Sequence, residues 1–141
     1  METIEDAIQS VLSQTHNDIE YIVIDGFSSD GTRELVLKYE DNITEFLSEP
    51  DKGLYDAMNK GIQLATGDVV GILNSDDFYI DRFVIEKVVN QFKTMKVDSV
   101  FGDLVYVRSG DLSKAVRYYD SSKFNPSKFA YGWMPAHPTF F

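Results

Sequence analysis

The chain has 141 residues, 43% of them hydrophobic and 13% aromatic, which describes one domain or part of one and excludes a disordered chain. Its net charge of −10 argues against nucleic acid as a partner, because phosphate binding needs clustered Lys and Arg. With no cysteine there is no disulfide, no thiolate metal site and no cysteine nucleophile, which fits a reducing compartment and a cytoplasmic setting. No apolar run approaches the roughly 18 residues of a membrane span, and the Met1–Asp6 start is too acidic for a signal peptide.

In chain order, Ile4, Ala7, Ile8, Val11 and Leu12 fall at helical spacing, with Thr3 as the expected N-cap. Tyr21-Ile22-Val23-Ile24 is a continuous apolar run, the mark of a strand buried on both faces. Asp25 to Gly31 is turn chemistry, and Asp30 is placed to cap a helix running to about Tyr39. A weaker strand spans Ile43 to Leu47. Leu54, Ala57, Met58, Gly61, Ile62 and Ala65 then mark an amphipathic helix closed by Gly67.

Val69 to Leu73 is expected to be a buried strand. A helix capped by Asp81 follows, with Ile85, Val88, Val89, Phe92 and Met95 facing inward. Ser99 to Val107 reads as a strand turning at Ser109-Gly110-Asp111 into Ala115 to Tyr119, and Pro135 to Phe141 looks like the start of another strand. This order predicts an α/β fold with a mostly parallel sheet flanked by helices. It begins on a helix where such sheets begin on a strand, and it stops on two aromatics. The chain therefore reads as a single partial domain, 1–141, cut from a larger one.

Three strand ends offer polar groups: Asp25, the Glu49-Pro50-Asp51-Lys52-Gly53 turn, and Asn74-Ser75-Asp76-Asp77. Ligands of open parallel sheets lie outside the carboxyl ends of the strands, so these groups are expected to converge. Asp76 and Asp77 repel one another unless a divalent cation and its anionic ligand neutralise them, an Asp-x-Asp-like arrangement with Asn74 in the first place. The bland alternative is a solvated turn or a helix cap. Asp25 is either a turn carboxylate bonding its own backbone or an acceptor for a base N–H or a ribose hydroxyl. Lys52 and Tyr55 lie where a helix opens toward a possible anion, although Lys52 also reads as an ordinary surface lysine. His137, between two prolines, and Trp133, in an aromatic-rich tail, are candidates for the acceptor side. A structural role is open for both.

With these motifs in place, the chain resembles the family 2 glycosyltransferases of GT-A fold. The resemblance rests on Ile4–Thr15 (IEDAIQSVLSQT), Ile24–Thr32 (IDGFSSDGT), Ser48–Gly67 (SEPDKGLYDAMNKGIQLATG) and Gly71–Asp77 (GILNSDD), in that order. It is nearest in look to bacterial enzymes that build surface polysaccharides. It implies inverting transfer of a sugar from a nucleoside diphosphate, UDP by default, to a saccharide or lipid-linked acceptor, the parent being peripheral to the inner face of a membrane. Asp25 matches the position that contacts base or ribose; Asn74 and Asp76 fall in the nucleotide-sugar region, and Asp76 and Asp77 match the ligands of Mn²⁺ or Mg²⁺. Lys52 and Tyr55 lie in the loop beside the donor.

Three departures from the family pattern stand out. The opening strand and its nucleotide loop have no counterpart. Met58 stands where many members carry Arg. The catalytic base is expected beyond Phe141, and lacking such a base forfeits roughly 10²- to 10⁴-fold in rate. The missing strand would lie between Tyr21–Ile24 and Val69–Leu73, so the chain is expected to fold poorly, to associate through those edges, or to fill the gap with a segment of itself or a partner. The rival readings are a non-catalytic remnant that binds nucleotide at most and, less favoured, a nucleotidyltransferase, whose glycine-rich phosphate loop is not found in the sequence.

Overall fold

The computed structural model describes residues 2–141. Its elements are α1 (Glu2–Leu12), β1 (Ile22–Asp25), α2 (Thr32–Val36), β2 (Glu45–Ser48), α3 (Leu54–Leu64), α4 (Val84–Met95), β3 (Leu104–Arg108) and β4 (Asp111–Tyr119). Short 3₁₀ turns lie at Leu37–Asn42, Ser121–Lys123, Pro126–Tyr131 and His137–Thr139. β1 and β2 pair in parallel, with Ile22 beside Glu45 and Asp25 beside Ser48. Parallel neighbours need a crossover, which α2 and the turn after it supply. β3 and β4 form an antiparallel hairpin turning at Gly110, whose φ of 81° suits glycine.

The buried apolar side chains are Ala7, Ile8 and Val11 on one stripe of α1, Val36 at the end of α2, and Val88 on α4. Gln14 joins these layers. It is 7% exposed, and its Nε2 donates to the carbonyls of Ser10 (2.9 Å) and Asp81 (2.8 Å). Its Oε1 accepts from the backbone N–H of Ile85 at 2.9 Å. A helix leaves its first N–H groups unsatisfied, so Gln14 caps α4 from the far side of the core. Thr15 adds a 2.6 Å bond to Glu86 on the same turn. α3 packs on β1 through Gly61, where an added Cβ would lie 3.5 Å from Ile24 Cγ1.

Several expectations need correcting. Val69 to Leu73 forms no ladder and is not a strand, and Val69 and Val70 are exposed. A strand exists only where a neighbour accepts its backbone bonds, and β1 has just β2 beside it. Instead, the chain's end lies against this segment: an added Cβ at Gly71 would meet the Phe141 ring at 2.5 Å. The expected Ser99–Val107 strand is divided. Val100 exchanges both backbone bonds with Phe141 (3.0 and 2.8 Å), Phe101 bridges Phe140, and the regular hairpin strand starts only at Leu104.

Thr3 lies inside α1 rather than capping it. α2 stops at Val36 and tightens into a 3₁₀ turn, so the expected α-helix to Tyr39 is shorter. Asp30 does serve its start, accepting from Thr32 N at 3.1 Å, though Gly31 occupies the cap position. Similarly, Asp81 accepts from Phe83 N at 2.7 Å, and Phe83 occupies the cap position of α4. α3 ends at Leu64 with Ala65 as its cap, before Gly67. Met95, expected to face inward, is 64% exposed.

Candidate functional site

β1 ends on Asp25, which is 6% exposed. The chain turns there because the carboxylate accepts from Ser28 N (3.1 and 3.2 Å), and it is tied to β2 by the Ser48 hydroxyl (2.6 Å). Burial opposes its ionisation. The Ser28 and Ser48 bonds, with the Arg33 charge, outweigh that opposition and hold the carboxyl below its ordinary range. A carboxylate has about four acceptor sites, and the Ser28 and Ser48 bonds engage most of them. Phe27 follows with φ 68°, a left-handed conformation that bulky residues rarely adopt, and the Arg33 guanidinium lies 5.2 Å from its ring centroid. Arg33 Nε is buried without a hydrogen-bond partner.

The Glu49–Gly53 turn touches this loop. An added Cβ at Gly26 would lie 2.5 Å from Asp51 Oδ2, so a larger residue there would push the Asp51 carboxylate aside. Lys60 holds the turn to α3 by bonding Glu49 (2.9 Å) and the Pro50 carbonyl (3.0 Å). Gly53 opens α3 with φ 113°. Lys52 is exposed, its backbone N–H donating to Asp56 at 3.0 Å, and Tyr55 is 78% exposed at the same rim.

The third element is the loop after Leu73. Asn74 Nδ2 lies 2.8 Å from Asp77 Oδ2 and 3.1 Å from His137 Nε2. Asp77 is half-buried, and burial raises its pKa. The Asp76 charge adds to the rise, against the pull of Asn74 and His137. Asp76 itself is exposed. A cleft of about 290 Å³ runs between the open side of β1 and this loop, lined by Val23, Ile24, Asp25, Ser28, Asp30 and Ser75 among others.

Thus the three expected strand ends do approach one another: Asp25 with Asp51 through Gly26, and Asp25 with Ser75 across the cleft. His137 meets Asn74, while Trp133 is engaged elsewhere, stacked on Tyr119 (6.2 Å between centroids) and against Phe124 and Phe129. Sequence reasoning missed Ser28, Ser48 and Arg33. The serines of the Asp25–Gly31 turn were a signal for Ser28; Ser48 reaches the site only through the β1–β2 register.

The site's geometry can be set beside known proteins. The family model described as Glycosyl transferase family 2 matches residues 1–138. The chain belongs to that family. Among curated relatives, an Escherichia coli UDP-Glc:alpha-D-GlcNAc-diphosphoundecaprenol beta-1,3-glucosyltransferase is 34% identical over 71% of this chain and 39% of its own length. A putative teichuronic acid biosynthesis glycosyltransferase of Bacillus subtilis is 40% identical over 52% of this chain and 31% of its own. An uncharacterized glycosyltransferase of Nostoc is 32% identical over 74% and 33%. The chain therefore spans between 31% and 39% of the lengths of these family members. A mannosyltransferase from Pyrobaculum calidifontis, solved with GDP-Man and Mn²⁺, superposes with a TM-score of 0.65 at 23% identity, over 79% of this chain and 34% of its own. The family's GT-A fold is shared.

Proposed function

We propose that this chain carries the donor-binding part of an inverting, cation-dependent glycosyltransferase. The parent moves a sugar from a nucleoside diphosphate, UDP by default, to a saccharide or lipid-linked acceptor in cell-surface polysaccharide synthesis. One observation supports this most: Asp25, buried and ionised, opens into the same cleft as Ser75 of the Asn74–Asp77 loop. A polar-ended slot at the carboxyl side of β1 suits a nucleoside, with the Asp25 carboxylate turned to a base N–H or ribose hydroxyl. Relatives named for teichuronic acid biosynthesis and for glucosyl transfer to a diphosphoundecaprenol-linked sugar support the surface-polysaccharide setting.

A divalent cation, Mn²⁺ or Mg²⁺, fits the donor set of Asp76 and Asp77, because two adjacent carboxylates, one half-buried, are disfavoured as a naked pair. When bound, it supplies Lewis-acid neutralisation of the departing nucleoside diphosphate. Asp25 and Asn74 orient the nucleoside and sugar, and Lys52 and Tyr55 border the donor from the α3 side. Trp133 and His137 lie on the acceptor side of this reading. No helix among the described residues is long and apolar enough to cross a membrane, and we place the activity at the cytoplasmic face. The open side of β1 offers its backbone to a second copy or another segment.

Calorimetric titration with UDP, GDP and dTDP, each with and without Mn²⁺, tests the reading. Metal-dependent binding that disappears in Asp76→Ala is expected. A folded chain that binds none of the three would refute it and leave a nucleotide-free remnant.

A further inference from the structure

We propose that the β3–β4 hairpin and the turns after it form a docking surface for an anionic lipid bilayer. The proposal deepens the lipid-linked-acceptor part of the reading above, on which it rests for its biological sense, by naming the surface and its partner.

Charge is divided unevenly along the chain. Residues 104–141 carry five Lys and Arg against two Asp, a net +3. Residues 1–103 carry eight Lys and Arg against 21 Asp and Glu, a net −13, and the two parts make up the −10 of the whole. Arg108, Lys114 and Arg117 lie on the hairpin, and Lys123 and Lys128 on the 3₁₀ turns that follow it. Among the described residues only Lys123 of these five pairs with a carboxylate, that of Asp120 at 3.6 Å. Arg117 lies instead 5.4 Å from the Tyr106 ring centroid, and Lys128 5.9 Å from that of Trp133.

The same surface is apolar. Eight of the nine β4 residues are exposed, so the strand is left largely uncovered on both faces. The hairpin is a two-stranded sheet of its own, apart from the β1–β2 ladder. On it Leu112 is 46% exposed, Val116 57% and Tyr118 59%, and in the segment beyond, Tyr131 is 90% and Met134 67% exposed. Two strands alone are marginal in water and gain from a partner for their apolar side chains.

Charge and apolarity together select the partner. An acidic polysaccharide would use the basic groups and leave Leu112, Val116 and Met134 in water. A second copy meeting this surface face to face would bring like charges together. An anionic bilayer uses both features: headgroup phosphates attract Lys and Arg, the acyl boundary takes Leu, Val and Met, and tyrosine suits the interface between them. The acidic remainder is repelled only at close range, because the surface potential fades within a Debye length, about 8 Å at physiological salt. An extended strand of nine residues reaches up to roughly 30 Å. The chain therefore docks in one orientation, hairpin inward and the net −13 part turned to water.

The test is flotation of the whole chain, without nucleotide, with phosphatidylcholine vesicles that contain or lack about 30% phosphatidylglycerol. Binding should require the anionic lipid and weaken about 10-fold between about 50 mM and 500 mM salt. Lys114→Glu with Arg117→Glu should weaken it about 20-fold or more, since each Lys or Arg at an anionic surface is worth about 5-fold. Leu112→Ser with Val116→Ser should cost about 10-fold. Lys38→Glu with Lys93→Glu, exposed residues of the acidic part, makes the same change in net charge and should cost less than about 3-fold. Thermal melts confirm that each variant folds. Because the chain has no cysteine, Val116→Cys and Lys38→Cys can each carry one environment-sensitive fluorophore. Its emission should shift to the blue on anionic vesicles at position 116 and not at 38. Equal loss in the hairpin and control charge variants, equal binding to neutral vesicles, or no shift at 116 would overturn the proposal. Self-association that the hairpin variants abolish, with no vesicle binding, would assign the face to a second copy and overturn it as well. Separate nucleotide titration keeps the two readings apart: a chain that binds UDP but not vesicles sinks the docking surface alone, and one that binds vesicles but no nucleotide sinks the donor reading alone.

Discussion

Gly71→Ala tests how the chain's end is fixed to the site, because its sign should reverse with one neighbouring residue. An alanine Cβ at this position lands 2.5 Å from Phe141 Cε1 and 2.6 Å from Cδ1. Neither atom can simply swing away, since both backbone bonds between Phe141 and Val100 hold the residue, and Tyr79 stacks beside the ring. Overpacking of this kind costs about 1–3 kcal/mol. At about 4 °C per kcal/mol for a domain of this size, the melt should fall by roughly 4–12 °C. Gly71 is not among the positive-φ glycines, so alanine suits its backbone. In a Phe141→Ala background the clash is gone, and Gly71→Ala should be neutral or stabilise by about 0.4–1 kcal/mol through the unfolded chain. Thermal and urea melts of the four proteins give the coupling directly. If Gly71→Ala shifts the melt equally in both backgrounds, the Phe141 ring does not rest on Gly71.

Two carboxylates should respond to pH in opposite directions. The Asp25 carboxyl is held below its ordinary range, so its contribution is present above about pH 4 and is lost as pH falls through its folded pKa. Asp25→Asn should therefore destabilise at pH 7, by about 1.5–3 kcal/mol for bonds to a charged group, and this difference should shrink in acid; a deficit that does not change with pH would contradict the assignment. Asp77 is raised, so folding favours its protonated form, and its ionisation lowers stability as pH climbs from about 4 through the folded value. Without metal, Asp77→Asn should melt higher than wild type at pH 7 and match it below about pH 4, with a lower melt at pH 7 as the contrary result. Gln14→Ala strands the Ile85 N–H at the start of α4 and should cost about 1–3 kcal/mol, read as a lower urea midpoint at unchanged slope. A change under about 0.5 kcal/mol, the ordinary range for surface substitutions, would mean that water replaces the cap.

What was legible in the sequence is what depends on near neighbours. The stripe of Ala7, Ile8 and Val11, the apolar run of β1 and the Ser109-Gly110 turn all declare themselves within a few residues. Val69–Leu73 shows the limit of that reasoning. Its composition suits a buried strand, yet strand identity belongs to a pair, and no partner lies beside it. Asp25 was legible as a turn carboxylate, and its bond to Ser28 follows from adjacency. Its second anchor, Ser48, required knowing that β1 and β2 align in parallel at that register. The distal cap by Gln14 and the meeting of Asn74 with His137 span 71 and 63 positions, and no local pattern encodes either.

The Asn74–Asp77 loop combines a favourable scaffold with an unfavourable charge, a combination that points to a ligand. Elsewhere the carboxylates with lowered pKa, such as Asp25, Asp81 and Asp103, lie next to donors that stabilise their charged form. Asp77 has one amide donor, a repelling neighbour in Asp76, and partial burial that works against it. A protein already at −10 gains nothing in solubility from one more half-buried charge. Asn74 and His137 offset part of that cost, and a bound cation would offset more. The rigid part of the site is paired in advance through Val100, Phe141 and Gly71, so binding need not order that support. Rigidity around an unsatisfied charge is what separates a preorganised cation site from a solvated acidic turn.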